Sequence, residues 1–336
     1  STVEALDNTN SGLIPLAPSI NYNSQKLLND DLTFTNNVKI INLKRNQSSI
    51  GKPSEIVSLK TSNSLKSNYF SNNTIFYNKL NLNNNLSSYY YEHNPSLDDE
   101  VIRSNVVLSS DIFFNKNENI TPRLKFIQNL NLLPDNIINE ESKAITFNYY
   151  NQYADNRLYG IDLEDNSSRV VYGLENKINV FGKNLYFNLN QSYDLNKNNN
   201  YTKQINQTTR FSDVAFEAKT KFDNLFFKID SRLNNSEFEK KEMNYFFEYS
   251  DIVDFKLNYN ETDAKAFDSL SKDTQFLGTS IEKKLNENVI LSVSSDVDLK
   301  NNYSPFSQTF KLTLFDECSK LDISYIEERY NYNYNT

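Results

Sequence analysis

Apolar and polar residues alternate one by one through much of the second half of the chain. Between positions 185 and 193, for example, Leu185, Phe187 and Leu189 alternate with Asn188 and Asn190. The same pattern repeats in four further segments, residues 214–222, 225–233, 243–250 and 289–300. Side chains of a β-strand point alternately to its two faces, so each segment is predicted to be a strand with one apolar and one polar face.

The length and spacing of these strands indicate a membrane barrel. Several run about nine to eleven residues, which is the span that a tilted strand needs to cross a bilayer. The turns at 222–225 and 250–253 are tight, whereas the connections at 196–206 and 261–273 are long and polar. This asymmetry is typical of outer-membrane barrels. With the looser alternation in residues 31–45, 55–67, 72–92 and 101–114, we count about 18 candidate strands. The predicted fold class is all-β, an antiparallel transmembrane β-barrel segment.

Alternation also predicts which way individual side chains face. One set of positions is rich in Phe, Tyr, Leu and Val, and the other carries charges of both signs. We expect the apolar set to contact lipid and the polar set to line the lumen. The residues predicted to face lipid are Phe187, Leu189, Phe216, Phe227, Phe247, Leu291 and Val293, and those predicted to face the lumen are Asn188, Lys219, Lys228, Glu248, Asp296 and Asp298. Aromatic clusters at 89–91, 149–150 and 245–247 are expected near strand ends, as interfacial girdles.

Composition narrows the class of protein. Hydrophobic residues make up 38% of 336 residues and mean hydropathy is −0.66, which suits either an Asn-rich disordered chain or strands with one apolar face. The net charge of −8 weighs against a nucleic-acid partner, because phosphate binding needs a basic surface. No run approaches the length of a transmembrane helix. The N-terminal residues lack the features of a signal peptide, so we expect either a protein that is not exported or a piece of one that is.

The sequence offers little catalytic chemistry. It contains one His, His93, and one Cys, Cys318, which is too few for a zinc site, and any Ser-His-Asp or Cys-His site would have to use His93, which lies in a predicted turn. It also lacks the glycine-rich loops that hold nucleotides. We therefore predict no enzyme and no cofactor, and we interpret His93 as an exposed loop residue. Cys318 is either a small buried residue or an exposed thiol, and in an exported protein it would suggest a partner Cys elsewhere.

Residues 140–175 form the most distinctive stretch of the chain. They contain Gly160 and Gly173, two of only 6 glycines. The pattern predicts a strand around Phe147 and Tyr149, then an Asp-Asn-Arg turn and a second strand beginning near Arg169. Glycine is retained where the backbone takes a positive φ or approaches another chain closely. We therefore expect this hairpin to have a specific shape.

This stretch resembles the LPS-assembly outer-membrane protein family, LptD. Residues 156–162 read NRLYGID, similar to the family's N-R-F-x-G-x-D-R, and 169–174 read RVVYGL, similar to R-x-x-Y-G-L. Further resemblance lies in TPRL at 121–124 and in DEC at 316–318, followed by SYIEERY at 324–330. The motif positions interpreted as structural are Glu140, Ser142, Asn156, Arg157, Gly160, Asp162, Arg169, Tyr172 and Gly173. Leu163 stands where the family usually has Arg, so any ion pair of that Arg is not expected here.

The resemblance implies a barrel of about 26 strands that inserts lipopolysaccharide into the outer leaflet of the Gram-negative outer membrane. Lipid A would leave through a lateral gate and the saccharide through the lumen. The implied partners are a plug lipoprotein (LptE-like) and a periplasmic bridge protein (LptA-like). A disulfide from Cys318 to a periplasmic domain is also implied. We interpret residues 1–336 as a single domain, a partial barrel truncated at both ends.

Two other classes of protein are also compatible with the alternation. One is a different outer-membrane barrel, of the porin or receptor type, and the other is a soluble Asn-rich β-adhesin. An adhesin would pack two sheets face to face around a dry core. The barrel segment predicts one continuous, strongly curved antiparallel sheet without helical domains.

Overall fold

The chain is described here by a computed structural model, which shows an all-β fold. The described residues are 13–15, 20–45, 55–70, 76–92, 100–114, 119–131, 143–145, 147–159, 163–180, 182–196, 199–205, 207–263, 273–300, 304–317 and 319–328. They contain nineteen strands and two short helices. None of the helices in these ranges is long and apolar enough to cross a membrane.

The strands follow one another along the chain with few interruptions. The first half contains β1 (Leu13–Pro15), β2 (Ile20–Asn29), β3 (Leu32–Arg45), β4 (Glu55–Phe70), β5 (Phe76–Glu92), β6 (Glu100–Phe114), β7 (Ile120–Asn131), β8 (Lys143–Ala144), α1 (Tyr149–Gln152) and β9 (Leu158–Tyr159). The second half contains β10 (Arg169–Val180), β11 (Lys183–Asp194), α2 (Asn200–Gln204), β12 (Val214–Phe222), β13 (Leu225–Leu233), β14 (Lys240–Ser250), β15 (Asp254–Thr262), β16 (Thr274–Asn286), β17 (Val289–Asp298), β18 (Ser304–Phe315) and β19 (Lys320–Glu328).

Seventeen of these strands belong to one antiparallel sheet. Each strand from β2 to β7 pairs with the next along the chain, and so does each strand from β10 to β19. The two runs are joined because β7 pairs with β10, and β8 and β9 form a separate two-stranded sheet. The continuous antiparallel sheet confirms the predicted fold class. It contradicts the two packed sheets expected of an adhesin.

The N-terminal third is as regular as the rest. Its loosely alternating segments were expected at 31–45, 55–67, 72–92 and 101–114, and they form β3 to β6. These strands run 14, 16, 17 and 15 residues, which is longer than the nine to eleven residues expected from the second half. The extra length carries polar residues such as the Asn run at 83–85, of which Asn83 and Asn85 lie on the polar face and Asn84 on the opposite one.

The two ends of the sheet differ in the length of their connections. At one end, called here the short-turn end, strands are joined by residues 30–31, 223–224 and 287–288. At the other, the long-loop end, the connections include 132–168 and 195–213. Asp223 takes a positive φ of 44°, as tight hairpin turns require. In outer-membrane barrels the short turns are periplasmic and the long loops extracellular.

Strand pairing separates the two predicted sets of side chains onto opposite faces of the sheet. Asn188 is opposite Glu217 on the neighbouring strand, whereas Leu189 is opposite Phe216. Paired residues share a face, so these pairs define a polar face and an apolar face. All seven side chains predicted to contact lipid lie on the face of Leu189, and all six predicted to be lumenal lie on the face of Asn188. Leu189 is 42% exposed, as expected of a lipid-facing side chain.

Two of the predicted aromatic girdles are wrong. Residues 245–247 lie in the middle of β14 and not at its end. Tyr149 and Tyr150 begin α1, which packs on the polar face of the sheet. Sequence position alone could not place these rings, because strand boundaries depend on pairing across the sheet.

Candidate functional site

The long connection between β7 and β10 folds back onto the polar face of the sheet. Its described part, residues 143–145, 147–159 and 163–168, is called here the lumenal segment. The prediction of a strand through Tyr149 is wrong, because Tyr149 begins α1. The Asn148 side chain accepts a hydrogen bond from the Asn151 backbone amide at 2.8 Å. Such an N-cap satisfies an otherwise unpaired amide and favours a helical turn.

Polar contacts attach the lumenal segment to β5, β6 and β7. The Asp155 carboxylate lies 2.7 Å from the Lys125 ammonium and accepts a hydrogen bond from the Asn83 amide at 3.3 Å. Further along, Glu164 lies 3.4 Å from the Arg103 guanidinium. Arg103 is nearly fully buried, so an ionic partner offsets much of the cost of removing its charge from water.

The aromatic rings of Tyr149, in α1, and of Tyr153, which follows it, form the apolar part of the attachment. Tyr149 and Tyr153 pack in one buried cluster with Val107, Ile127 and Val171 of β6, β7 and β10. These three strand residues face the polar side of the sheet. Apolar side chains on a lumenal face would otherwise contact water, so their burial favours the inward position of the segment.

Arg123 connects this aromatic cluster to the sheet. Its guanidinium lies 3.7 Å from the centre of the Tyr153 ring and donates to both oxygens of Asp111, at 3.0 and 2.7 Å. It also lies 3.1 Å from Glu175, which accepts a hydrogen bond from the Tyr149 hydroxyl at 2.8 Å. A guanidinium can stack on a ring and bind a carboxylate in two-point fashion at once. Arg123 therefore fixes both tyrosines relative to three strands.

A buried charge cluster holds the end of the lumenal segment. It consists of Arg157, Asp165, Ser167, Arg169 and Asp194. Asp165 Oδ2 lies 2.7 Å from Arg157 Nε and 3.1 Å from Arg169 Nη1, and all three side chains are 0% exposed. Arg157 also lies 3.5 Å from Asp194, and Ser167 accepts hydrogen bonds from both arginines. The two positive and two negative charges of the cluster therefore neutralise each other without contact with solvent.

Asp165 stays ionised because of its position between the two arginines. Burial would raise the pKa of its carboxyl, but the charges of Arg157 and Arg169 outweigh burial and lower the pKa to about 2. This is below the usual pKa of about 3.9 for an unfolded Asp. The cluster therefore contributes stability fully above pH ~4, and this stability is lost only as the pH falls towards 2.

The connection between β11 and β12 covers the same cluster. Tyr201 of α2 is fully buried, and the Arg157 guanidinium lies 3.8 Å from the centre of its ring. Tyr201 packs with Leu158 and Ile205, and Leu163 contacts this group. Leu163 therefore extends an apolar contact of the lumenal segment.

Gly173 permits the closest approach of α1 to the sheet. A Cβ atom added at this position would lie 2.5 Å from the Tyr153 hydroxyl and would also collide with the carbonyl oxygen of Leu189. Contacts this short are essentially absent from protein structures, so one of the partners would have to move. Of the two roles expected for glycine, close approach is the one that applies here.

Replacing Gly173 with Ala is expected to destabilise the sheet where α1 docks. Overpacking of this kind costs about 1–3 kcal/mol, measurable as a lower urea midpoint for heat-modifiable migration of the refolded full-length protein. A second change, Tyr153→Phe, removes the hydroxyl group and should recover part of the loss. An alanine variant as stable as the natural protein would contradict the close approach.

Four of the motif residues, Asn156, Arg157, Arg169 and Gly173, lie where the lumenal segment docks on the sheet, and a fifth, Tyr172, does not. Asn156 accepts hydrogen bonds from the backbone amides of Leu158 and Asp165, both at 3.0 Å. It therefore joins the two ends of the turn that carries Arg157, while Arg169 and Gly173 complete the docking surface. Tyr172 lies on the apolar face, where its hydroxyl donates to Gln191. Glu140, Ser142, Gly160, Asp162, Cys318 and His93 lie outside the described residues.

Sequence reasoning missed the acidic half of the charge cluster. Nothing in the sequence distinguished Asp165 and Asp194 from the many other acidic residues. Arg123 was part of the TPRL motif but had no predicted role. One signal was present, because Arg169 lies on the same face of β10 as Glu175 and Lys177, which is the polar face. A buried arginine requires a carboxylate partner, but the sequence could not say which. In the part of the chain that the structure describes, no group of His, Cys, Asp and Glu could hold a metal ion.

The geometry of the sheet defines the class of protein. A long antiparallel sheet with an exposed apolar face, a polar face and unequal connections at its two ends is a transmembrane β-barrel type of sheet. Its polar face carries a lumenal segment that covers part of the interior.

Comparison with protein families identifies the particular group. A family model described as LPS transport system D, LptD, matches residues 4–289, and the chain belongs to this family. It is therefore an outer-membrane protein of Gram-negative bacteria that acts in LPS transport and outer-membrane assembly, with LPS as its substrate. The family acts in transport and assembly. No curated protein matches the chain in sequence.

Proposed function

We propose that this chain is part of a translocon barrel that inserts LPS into the outer leaflet. The observation that carries the proposal is the separation of a mainly apolar face and a mainly polar face along the paired strands. LPS has acyl chains that require an apolar environment and a saccharide that requires a polar one. The polar face offers the saccharide a route through the sheet's interior, and residues 1–336 would form a single partial barrel.

The lumenal segment gives this route a restricted width. Its contacts include strands from β5, through Asn83, to β13, where the Arg232 guanidinium lies 4.9 Å from the Phe147 ring. A barrel with this many strands and nothing in its interior would be an open pore for small solutes. A segment held by buried charges favours a transporter that admits one substrate over a general porin.

The partner proteins remain proposals that rest on the family resemblance. A plug lipoprotein (LptE-like) would occupy the lumen, where the inner face of β14–β16 presents polar side chains such as Glu248 and Lys256, 3.2 Å apart. A periplasmic bridge protein (LptA-like) would deliver LPS to the short-turn end.

The disulfide of Cys318 is likewise a proposal. Glu317 and Ser319 connect β18 to β19 at the short-turn end of the sheet. In a barrel that end faces the periplasm, which is an oxidising compartment. A disulfide bond from Cys318 to a periplasmic domain would make the delivery of LPS depend on a correctly assembled barrel.

Site-specific photocrosslinking in cells tests the proposed route. A photoreactive residue at Asn244, on the polar face, is expected to crosslink to newly made LPS in the full-length protein. The same residue at the neighbouring Tyr245, on the apolar face, contacts outer-leaflet lipid continuously. Blocking LPS synthesis should therefore remove the crosslink at position 244 within minutes and leave that at 245.

The experiment has a clear contrary outcome. If new LPS reaches the cell surface while positions 244 and 296 on the polar face never crosslink to it, the saccharide does not pass along this face. The translocation role of this part of the sheet would then be wrong, although family membership would stand.

A further inference from the structure

A cavity of about 310 Å³ lies between α1 and the polar face of the sheet. It opens near the short-turn end, where β7, β10, β11 and β12 begin or end. Its lining includes Thr121, Tyr150, Glu175, Lys177, Tyr186 and Lys219. The charge cluster and the aromatic cluster of the lumenal segment lie outside it, so neither accounts for these residues.

Strand pairing arranges three of the lining residues in a row. Lys177 of β10 is opposite Tyr186 of β11, and Tyr186 is in turn opposite Lys219 of β12. Side chains directly opposite each other on antiparallel strands have Cβ atoms about 4.5–5.5 Å apart. The floor of the cavity is therefore a tyrosine ring with a lysine on each side. Tyr150 of α1 forms the opposite wall.

The wall tyrosine is held in place by its own partners. Its hydroxyl donates to Glu217 at 2.9 Å and accepts a hydrogen bond from Lys219. The Lys219 ammonium also lies 3.0 Å from Glu217. Because the Glu217 side chain is nearly fully buried, this arrangement is built into the fold and leaves the ring of Tyr150 facing the cavity.

The lining chemistry selects the kind of ligand. Its nine residues are Asn, Thr, Tyr, Glu and Lys, with no aliphatic hydrophobic residue among them. An acyl chain in such a site would leave the polar groups of the lining without hydrogen-bond partners. Hydroxyl groups of a sugar can instead bond to amide and phenol groups, while its C–H faces pack on the tyrosine rings.

The charge balance adds a requirement for an anion. Glu175 is already neutralised, because Arg123 lies 3.1 Å away and Tyr149 donates to it. Lys219 shares its charge with Glu217. Among the described residues, no carboxylate lies within ion-pairing distance of Lys177. The cavity therefore presents a net positive charge beside two aromatic rings.

We propose that this cavity binds an anionic sugar residue of the LPS saccharide as it crosses the lumen. The proposal rests on the proposed function and makes it more specific. The row of Lys177, Tyr186 and Lys219 would contact the sugar and its negative group, and Tyr150 would cover it. The cavity would thus be a binding site along the polar route, next to α1.

Binding of a labelled saccharide to the purified full-length protein tests this assignment. The probe is fluorescent core oligosaccharide released from LPS by mild acid, and the readout is fluorescence anisotropy in detergent. Lys177→Gln and Tyr186→Ala are each expected to weaken binding about tenfold, as expected for loss of one charge-assisted hydrogen bond or one packed ring. Lys221→Gln is the matched control, because Lys221 is on the same face of β12 but outside the lining, and it should leave binding unchanged.

Comparison probes show whether both parts of the ligand matter. Neutral maltohexaose and inorganic phosphate should each bind at least about tenfold more weakly than the acidic oligosaccharide, because each lacks one of the two features. Equal binding of inorganic phosphate would overturn the sugar assignment, and equal binding of maltohexaose would overturn the anion assignment. Heat-modifiable migration identifies variants that have not folded, and Lys177→Arg, which keeps the charge, should then retain binding.

The outcomes separate this proposal from the proposed function. If position 244 crosslinks to new LPS while Lys177→Gln and Tyr186→Ala bind the oligosaccharide as the natural protein does, the cavity assignment is wrong and the route stands. If the oligosaccharide binds through these residues but no polar-face position crosslinks to LPS, the route is wrong and the sugar site stands.

Discussion

Replacing Asp165 with Asn is expected to release the lumenal segment from the sheet. The change leaves Arg157 and Arg169 buried with one remaining carboxylate, that of Asp194, 3.5 Å from Arg157. Removing one partner of a buried ion pair costs about 3–5 kcal/mol, because the other charge is left without water or a counter-charge. Hydrogen exchange in residues 147–159 of the full-length protein should increase correspondingly, whereas the pairing of β12 to β18 should be retained.

A surface carboxylate provides the matched control. Asp223 forms an ion pair with Lys183 at 2.5 Å but is 83% exposed, so Asp223→Asn should leave exchange unchanged. Adding Arg169→Gln to the Asp165 variant restores the charge balance with Arg157 and Asp194 and should recover part of the protection. If Asp165→Asn is no more dynamic than Asp223→Asn, the charge cluster does not hold the segment.

Replacing Val293 with Lys is expected to reduce assembly of the barrel in the membrane strongly. Val293 lies at the middle of β17 on the apolar face, opposite Ile281 and Phe310. A lysine at the midplane of a lipid-facing surface costs about 2–4 kcal/mol. The fraction of heat-modifiable protein in outer-membrane preparations measures the effect. Leu291 is a weaker test site, because its neighbour on the same face is Lys283, which indicates a position near the membrane surface.

The adjacent residue gives the control for facing. Ser294 pairs with Ser280 on the polar face, and a lysine there can extend into the water-filled interior. Ser294→Lys should therefore assemble nearly as well as the natural protein. Similar losses for the two lysine variants would mean that both faces are equivalent, and the assignment of one face to lipid would be refuted.

The strands were predictable because the pattern that specifies them lies within short segments of the sequence. Alternation with a period of two assigned β11 to β14 and β17, and also the facing of residues such as Asn188 and Leu189, since side chains on a pleated strand point alternately to its two faces. Even the loosely patterned N-terminal segments became β3 to β6. What failed was the length of these strands, which depends on the partner each one pairs with.

The lumenal segment was predicted incorrectly, for a different physical reason. Phe147 and Tyr149 are two residues apart, as in a strand, but the Asn148 cap and burial against Val107 and Ile127 favour a helical turn. Those partners are distant in sequence, and no local pattern records them. The same applies to Asp165, whose role depends on two arginines that the chain brings together only on folding.

The sequence by itself therefore determined the all-β class, the strands, the two faces and the family resemblance carried by residues such as Arg157 and Gly173. Only the tertiary structure decided that the segment around Arg157 covers the polar face, that Asp165 and Asp194 neutralise its charges, and that Lys177, Tyr186 and Lys219 line one cavity. Facing follows from the geometry of each residue and its immediate neighbours. Burial and charge balance depend on contacts between strands far apart in the chain, which exist only once the sheet has formed.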